Sequence, residues 1–218
     1  MKGIEKYIDH TALSPQVQYS DVVRLCSEAV QYGFYAVCVN SRFVSTAKKE
    51  LNGTDVKIAS VVGFPLGAMS TESKVFETSD ACREGASEID MVLSVGALKE
   101  GLLDVVYEDI RGVVLAASNF GASVKVILET CLLSDEEIVT ACKLSQKAGA
   151  AFVKTSTGFS TGGATVHHVA LMRKSVGPEM KVKASGGIRD RKTAEEMIAA
   201  GADRIGASAG IAICGEKA

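Results

Sequence analysis

Several features that mark other classes of protein are missing from this sequence. Its 218 residues include no tryptophan and only three prolines, and no apolar run is long enough to span a bilayer. The first residues, Met1-Lys2-Gly3-Ile4-Glu5-Lys6, are too polar for a secretory signal peptide. Neither sign of charge dominates, since 24 basic and 26 acidic residues are interspersed. We therefore expect a cytoplasmic protein with no membrane partner and no nucleic-acid partner.

Signals for disulfides and metals are also missing. The six cysteines form no C-x-x-C pair, and most of them lie inside apolar stretches. None of the three histidines, His10, His167 and His168, has a helical i, i+4 partner or a nearby cysteine at zinc-finger spacing. The sequence therefore predicts reduced thiols, no metal and no cofactor. His167 and His168 are interpreted as surface or capping residues.

Glycine is plentiful, and its positions reveal a repeat. A polar, alanine-rich helical stretch, a glycine with a small residue, and an apolar β-type run follow one another five times. The glycines of this repeat are Gly33, Gly85, Gly121, Gly149 and Gly201. Each is placed where a helix needs a left-handed terminal residue, and each apolar run is typical of a buried parallel strand.

Three more strands have the composition without the repeat, at Ile4–Asp9, Lys57–Phe64 and Lys181–Ser185. Eight strands and about seven helices in 218 residues average about 27 residues per unit, close to the minimum for a βα unit. Strand one lacks the glycine fingerprint of an open doubly wound sheet. We predict the α/β class, with residues 1–218 forming a single (β/α)8 TIM-barrel domain.

The active site of such a barrel lies at the carboxyl ends of the strands, so polar residues on inward positions there are candidates. Lys154 ends the apolar run Phe152-Val153-Lys154. Burial favours a neutral amine, which can condense with a carbonyl to form a Schiff base. A lysine paired with a buried carboxylate is an equally good interpretation.

Lys183 occupies the corresponding position on the next strand, so both lysines could point inward. Two ammonium groups so placed repel each other, which lowers the pKa of at least one. Alternatively Lys183 binds a substrate phosphate, while Lys181 marks the exposed bottom of the strand. Asp90 interrupts the apolar run from Ile89 to Leu93 and needs a cationic partner; it could also shuttle protons. Asp9 is interpreted as a supporting hydrogen-bond acceptor.

Two loops rich in glycine and serine follow strands seven and eight, at Ser185–Arg189 and Gly206–Gly210. Loops at these places commonly bind phosphate in this fold, through backbone N–H groups. Thr157-Gly158 after strand six could complete the cradle. Cys38 is interpreted as a small packing residue, and Glu129 as either a structural partner or a pocket residue.

Seven short motifs together resemble the deoxyribose-phosphate aldolase family, in family order from about residue 8 to residue 210. They are Asp9-His10-Thr11, Val62-Gly63-Phe64-Pro65, Glu88-Ile89-Asp90-Met91-Val92, Lys125-Val126-Ile127-Leu128-Glu129-Thr130, Phe152-Val153-Lys154-Thr155-Ser156-Thr157-Gly158-Phe159, Lys183-Ala184-Ser185-Gly186-Gly187-Ile188 and Gly206-Ala207-Ser208. The pairing of K-T-S-T-G with K-A-S-G-G-I at this spacing is the specific part.

The resemblance implies a class I lyase that reversibly cleaves 2-deoxy-D-ribose 5-phosphate to acetaldehyde and D-glyceraldehyde 3-phosphate, in deoxyribonucleotide catabolism. Lys154 would be the Schiff-base lysine, Lys183 would lower the pKa of Lys154 and join a proton relay, and Asp90 would be the relay carboxylate. The substrate-binding positions it implies are Cys38, Thr157, Gly158, Gly186, Gly187 and Ser208. The expected partners are this sugar phosphate and further copies of the chain in a homo-oligomer.

The sequence departs from some family members at three places. Ala209 stands where a second serine can occur, and Phe159 where a lysine can occur, so phosphate contacts there would be fewer. The sequence ends at Gly215-Glu216-Lys217-Ala218 without a tail tyrosine, so water would donate that proton or turnover would be slower. Two other functions stay open, a non-covalent sugar-phosphate isomerase using Asp90 and a non-catalytic phosphate binder.

Overall fold

The computed structural model describes residues 3–215, and eight parallel strands form its centre. The strands are Ile8–Ala12 (β1), Ala36–Val39 (β2), Lys57–Val62 (β3), Glu88–Val92 (β4), Ser123–Ile127 (β5), Phe152–Lys154 (β6), Lys181–Ser185 (β7) and Arg204–Ala207 (β8). They pair in chain order, and β8 closes the barrel on β1. The (β/α)8 barrel predicted from the repeat is confirmed.

Helices cover the outside of this barrel. They are Tyr19–Tyr32 (α1), Val44–Glu50 (α2), Thr71–Glu84 (α3), Val95–Lys99 (α4), Leu103–Ser118 (α5), Asp135–Lys147 (α6), Val166–Ser175 (α7), Arg191–Ala199 (α8) and Gly210–Cys214 (α9). Within residues 3–215 there are thus more helices than the seven expected, because α4 and α9 are single short turns. None of these helices is long and apolar enough to cross a bilayer.

The helix ends follow the sequence signals closely. The Ser134 hydroxyl accepts a hydrogen bond from the Glu137 N–H, and Glu137 reaches back to the Ser134 N–H, which completes a capping box. Asp190 caps α8 by accepting from the Thr193 N–H at 2.9 Å. All five repeat glycines have positive φ, as predicted for left-handed helix ends.

The first strand begins later than predicted. Residues Ile4–Tyr7 form a short 3-10 helix, in which the Lys6 N–H donates to the Gly3 carbonyl. Strand pairing to β8 starts only at Ile8, and pairing to β2 only at Asp9. Since no strand in the described part of the chain pairs with residues 4–7, their composition does not produce a strand.

The apolar core lies between the helices and the outer face of the barrel, where Ile89, Met91, Val126 and Val153 are fully buried. The interior of the barrel differs, because charged side chains fill its centre. They are Asp9, Glu88, Asp90, Lys125, Lys154, Lys183 and Arg204, each at most 6% exposed. Strand alternation sends these residues inward and the apolar ones outward. The barrel therefore holds the candidate site in its own interior.

Candidate active site

Lys154, Lys183 and Asp90 meet inside the barrel, as the sequence predicted. Lys154 and Lys183 are direct register partners on β6 and β7. Both ammonium groups donate to the same carboxylate oxygen of Asp90, Lys154 at 2.9 Å and Lys183 at 2.8 Å. Both interpretations of Lys154 therefore agree with the geometry, since it has a buried carboxylate partner and also lies where a carbonyl could reach it.

The Asp90 carboxylate is the common partner of three lysines. Its second oxygen accepts a hydrogen bond from Lys125 at 2.6 Å. Burial alone would raise the pKa of Asp90, but the charges of Lys125, Lys154 and Lys183 outweigh it and hold this pKa well below 3.8. Asp90 is therefore ionised at neutral pH and can accept a proton.

Lys183 is held in its protonated form. Burial opposes the charge of Lys183, but the carboxylates of Asp9 and Asp90 outweigh burial and raise the pKa of this lysine above 10.5. Its Nζ lies 2.5 Å from Asp9 and 2.8 Å from Asp90. Lys183 is thus protonated at neutral pH.

A second group of charged side chains lies deeper in the barrel, formed by Lys125, Glu88 and Arg204. The sequence predicted no role for these three residues. Lys125 bridges Asp90 and Glu88, with both distances 2.6 Å. Arg204 bonds to Glu88 at 3.0 Å and to Asp9 at 2.8 Å through its Nε. The signal that singled out Asp90, a charged residue inside an apolar strand, would also have found Lys125, whereas Glu88 and Arg204 each begin a strand after a polar residue.

A cavity of about 400 Å³ opens at the carboxyl ends of the strands, with Lys154 in its wall. Five of the six residues predicted to bind substrate line it, namely Thr157, Gly158, Gly186, Gly187 and Ser208. Asp90 and Lys183 do not line it, because both are fully buried behind Lys154. Lys154 is therefore the lysine of the pair that a ligand in the cavity can reach.

The loops that follow β6 and β7 pack closely against each other beside this cavity. Gly158, Gly186 and Gly187 all have φ between 82° and 88°, which favours glycine. A Cβ on Gly186 would lie 3.0 Å from the Cα of Gly163 and 3.2 Å from the Cβ of Ser156. The close approach of these backbones leaves room for glycine only and keeps their N–H groups near the cavity.

Glu129 has a structural place beside the cavity. It is a rare non-glycine residue with positive φ, 58°, and its carboxylate accepts from both the N–H and the hydroxyl of Thr157. The Thr157 hydroxyl in turn accepts from the Phe159 N–H at 3.0 Å. Of the two roles left open for Glu129, the contacts favour that of a structural partner, one that shapes the loop carrying Gly158.

Cys38 does not line the cavity, so the prediction that it contacts substrate is not supported by its placement. Its thiol is fully buried, 4.0 Å from the Asp90 oxygen that also accepts from Lys154 and Lys183. Burial, and then the charge of Asp90, raise the pKa of Cys38 above 9.0. The side chain is therefore a neutral packing group, as its apolar sequence context suggested.

Phe159 and Ala209, two of the three departures from some family members, lie at or beside the cavity. Phe159 lines the cavity and packs edge-on against Phe64, with ring centroids 5.2 Å apart. Ala209 lines the adjoining groove and not the cavity itself. Arg189 lines the cavity and is exposed, and sequence reasoning named its loop without assigning it a role. The tail residues 216–218 lie outside the described part of the chain.

The two adjacent histidines lie away from the cavity, in the first turn of α7. His167 contacts Asp135 at 2.8 Å, and one ligand atom from each of Asp135, His167 and His168 falls within 4.8 Å of the others. Burial, and then the charge of His167, lower the pKa of His168. The surface position predicted for them is confirmed, although their approach to Asp135 was not foreseen.

Comparison with known proteins agrees with this geometry. Residues 4–216 match the DeoC/LacD family aldolase. A deoxyribose-phosphate aldolase of Alkaliphilus oremlandii is 59% identical over 215 residues, 99% of this chain and 96% of that protein. A deoxyribose-phosphate aldolase of Bacillus cytotoxicus is 60% identical over 211 residues, 97% of this chain and 94% of that protein.

Among solved structures, the tetrameric deoxyribose phosphate aldolase of Aeropyrum pernix superimposes with a TM-score of 0.90. It is 37% identical, and the alignment covers 97% of this chain and 89% of that one. Both the sequence match and the fold thus extend over nearly the whole length. The chain belongs to the DeoC/LacD family of aldolases.

Proposed function

We propose that this protein is a class I deoxyribose-phosphate aldolase in which Lys154 forms the imine. The reaction is the reversible cleavage of 2-deoxy-D-ribose 5-phosphate to acetaldehyde and D-glyceraldehyde 3-phosphate. One observation carries the assignment of the lysine. Lys154 lines the cavity while its neighbour Lys183 is buried behind it and held protonated by two carboxylates.

The chemistry follows from an amine in the wall of the cavity. Lys154 Nζ adds to the C1 aldehyde of the open-chain sugar, and loss of water gives a protonated imine. A base removes the proton of the C3 hydroxyl, the C2–C3 bond breaks, and its electron pair forms an enamine with the imine as electron sink. Glyceraldehyde 3-phosphate leaves, C2 of the enamine takes a proton, and water hydrolyses the imine to acetaldehyde and free Lys154.

Asp90 and Lys183 are placed to move the protons of these steps. One Asp90 carboxylate oxygen accepts hydrogen bonds from both the Lys154 and the Lys183 ammonium groups. An ionised carboxylate accepts a proton, and an adjacent ammonium donates one, so the pair can exchange protons with the Lys154 amine that faces the cavity. We assign Asp90 as the relay carboxylate and Lys183 as the second relay group.

The phosphate group would bind at the opposite wall. Gly158, Gly186, Gly187 and Ser208 present backbone and hydroxyl donors there. Arg189 on the same wall supplies a positive charge, which compensates for Phe159 at the position where relatives can carry lysine. A phosphate held there would direct the C1 carbonyl toward Lys154.

Reductive trapping tests this function. The protein is incubated with acetaldehyde or with 2-deoxyribose 5-phosphate, borohydride is added, and the modified peptide is identified by mass spectrometry. We expect a stable mass increase on the peptide that holds Lys154 and none in Lys154→Ala. An adduct on Lys183 would reverse the two roles, and no adduct on folded protein would favour the isomerase or binder functions.

The wider setting is proposed from the relatives. The aldolase of Aeropyrum pernix is tetrameric, which supports a homo-oligomer here as well. We further propose that residues 1–218 fold as one domain, in the cytoplasm, and that the enzyme serves deoxyribonucleotide catabolism. Light scattering during gel filtration gives the oligomeric state directly, and a mass of one chain, 22.8 kDa, would contradict the homo-oligomer.

A further inference from the structure

Six charged side chains in the barrel form a closed ring of alternating sign. The ring runs through Asp90, Lys125, Glu88, Arg204, Asp9 and Lys183 and back to Asp90. In each neighbouring pair a nitrogen lies within 3.0 Å of a carboxylate oxygen. Every carboxylate therefore lies between two cations, and every cation between two carboxylates.

The charges of this ring cancel, and Lys154 is attached to it from outside. With Lys154 protonated, the interior carries one net positive charge, and with Lys154 neutral it carries none. A net charge without a partner is costly in a buried interior. Release of one proton from the interior is therefore favoured by the ring as a whole.

The number of contacts decides which lysine releases that proton. Lys125 bridges two carboxylates and so does Lys183, whereas within residues 3–215 Lys154 forms an ion pair with one carboxylate, that of Asp90. Removing a proton from either bridging lysine breaks two ion pairs, and removing it from Lys154 breaks one. Consistently, carboxylates that outweigh burial raise the pKa values of Lys125 and Lys183.

Glu88 and Arg204 complete the ring on the side away from substrate. Neither lines the cavity, and both are nearly fully buried. The guanidinium of Arg204 lies 3.7 Å from the ring centroid of Tyr35, which covers it. These two residues can therefore influence the reaction only through the groups above them.

We propose that Glu88 and Arg204 are positioning residues for the aldol reaction, because they close a neutral ring that leaves Lys154 as the interior group that releases its proton. This inference rests on Lys154 as the imine-forming lysine. The charged or titratable groups around Lys154 come from six other strands and the mouth: Asp9, Cys38, Glu88, Asp90, Lys125, Lys183, Arg204 and Arg189. Strand β3 adds only apolar side chains, Ala59 and Val61.

The test is the pH dependence of imine trapping in variants that change the ring charge. Acetaldehyde is used because it has no ionisable phosphate, and cyanoborohydride because it reduces imines over a wide pH range. The trapping rate on the Lys154 peptide is measured by mass spectrometry for Glu88→Gln, Arg204→Gln and the double variant. Asp109→Asn, which breaks the buried Lys74–Asp109 pair outside the barrel, is the control for loss of any buried ion pair.

The two single variants should move the midpoint of the trapping profile in opposite directions. Glu88→Gln leaves excess positive charge, so the midpoint falls by about one pH unit, and Arg204→Gln raises it by about one. The double variant restores neutrality and returns the midpoint toward that of the natural protein, and Asp109→Asn leaves it unchanged. Shifts of the same sign in both single variants, or no shift, would overturn the inference.

If the proposed function is wrong, the natural protein itself will give no adduct on Lys154. This outcome is distinct from the shifts that would overturn the inference about the ring. If the ring variants do not fold, the natural protein supplies a second measurement. A buried ring is poorly screened by salt, so the trapping midpoint should be the same at low and high ionic strength. A midpoint that changes with ionic strength would show that surface charges, and not the ring, set this midpoint, and it would overturn the inference.

Discussion

At the scale of single residues, the carboxylate of Asp90 holds the site together. It accepts hydrogen bonds from Lys125, Lys154 and Lys183, and it is fully buried. A neutral side chain at this position would leave three ammonium groups in the barrel with one counter-charge fewer. We therefore expect both the proposed proton relay and the stability of the barrel to depend on this one charge.

Asp90→Asn should lower kcat at least 100-fold, because a carboxamide cannot accept the relayed proton. It should also destabilise the fold by about 3 kcal/mol, since it breaks a buried ion cluster. Steady-state kinetics and urea unfolding measure the two effects. The exposed change Asp55→Asn should alter neither, and an active Asp90→Asn would remove Asp90 from the relay.

Cys38→Ala tests the one predicted substrate-binding residue that does not line the cavity. Because the buried thiol is neutral and is not part of the cavity wall, kcat/KM should stay within about threefold of the natural value. Stability should fall by about 1 kcal/mol through lost packing. A tenfold loss of kcat/KM at unchanged stability would show that Cys38 acts on the substrate after all.

At the scale of elements, short parallel strands set the spacing of the site and the following loops complete it. The register of β6 and β7 places Lys154 beside Lys183. Hydrogen bonds then join the loops to each other. The Thr155 hydroxyl donates to the Ser185 carbonyl, and the Ala164 N–H donates to the Gly186 carbonyl. A change in these loops should therefore affect phosphate binding more than imine chemistry.

Gly186→Ala should separate these two functions. A Cβ here meets the backbone of Gly163, and the φ of 88° strains any other residue. We expect KM for the sugar phosphate to rise about tenfold, while acetaldehyde trapping on Lys154 changes less than twofold. Gly101→Ala is the matched control, because Gly101 also has positive φ, 73°, but open space around it. Equal losses in both assays would show that the loop also places Lys154.

At the scale of the whole molecule, the buried charges link stability to pH on both sides of neutrality. Burial would raise the pKa values of Asp9, Glu88 and Asp90, but neighbouring cations outweigh it and lower all three. Burial raises the pKa of Cys142 to about 12, and carboxylates raise that of Lys125 against the effect of burial.

The sign follows from linkage between protonation and folding. Lowered carboxyl pKa values stabilise the fold above about pH 4.5 and lose this effect as pH falls. Raised thiol and lysine pKa values stabilise it below about pH 9 and lose this effect as pH rises. The free energy of unfolding should therefore form a plateau between about pH 5 and 9 and decline on both sides. Urea titrations across this range measure it, and a stability that still increases beyond pH 9 would contradict the thiol and lysine shifts.

Sequence reasoning recovered the fold because the repeat of glycine and apolar runs reflects local physics. A helix end needs a left-handed residue, and a strand buried on both faces needs a continuous apolar run. It failed at Ile4–Tyr7, where the composition suggested a strand but no described strand pairs with these residues. It found Lys154, Lys183 and Asp90 because charged residues stand out in apolar strands.

The sequence by itself determined the number of strands, their order and the facing lysines, because these follow from local periodicity and from the short connections between parallel strands. Only the tertiary structure decided that Cys38 lies behind the cavity wall, that Arg189 lies in that wall, and that Glu88 and Arg204 join a ring. Ring closure depends on side chains that lie far apart in sequence, such as Asp9 and Arg204, and these meet only when β8 pairs with β1.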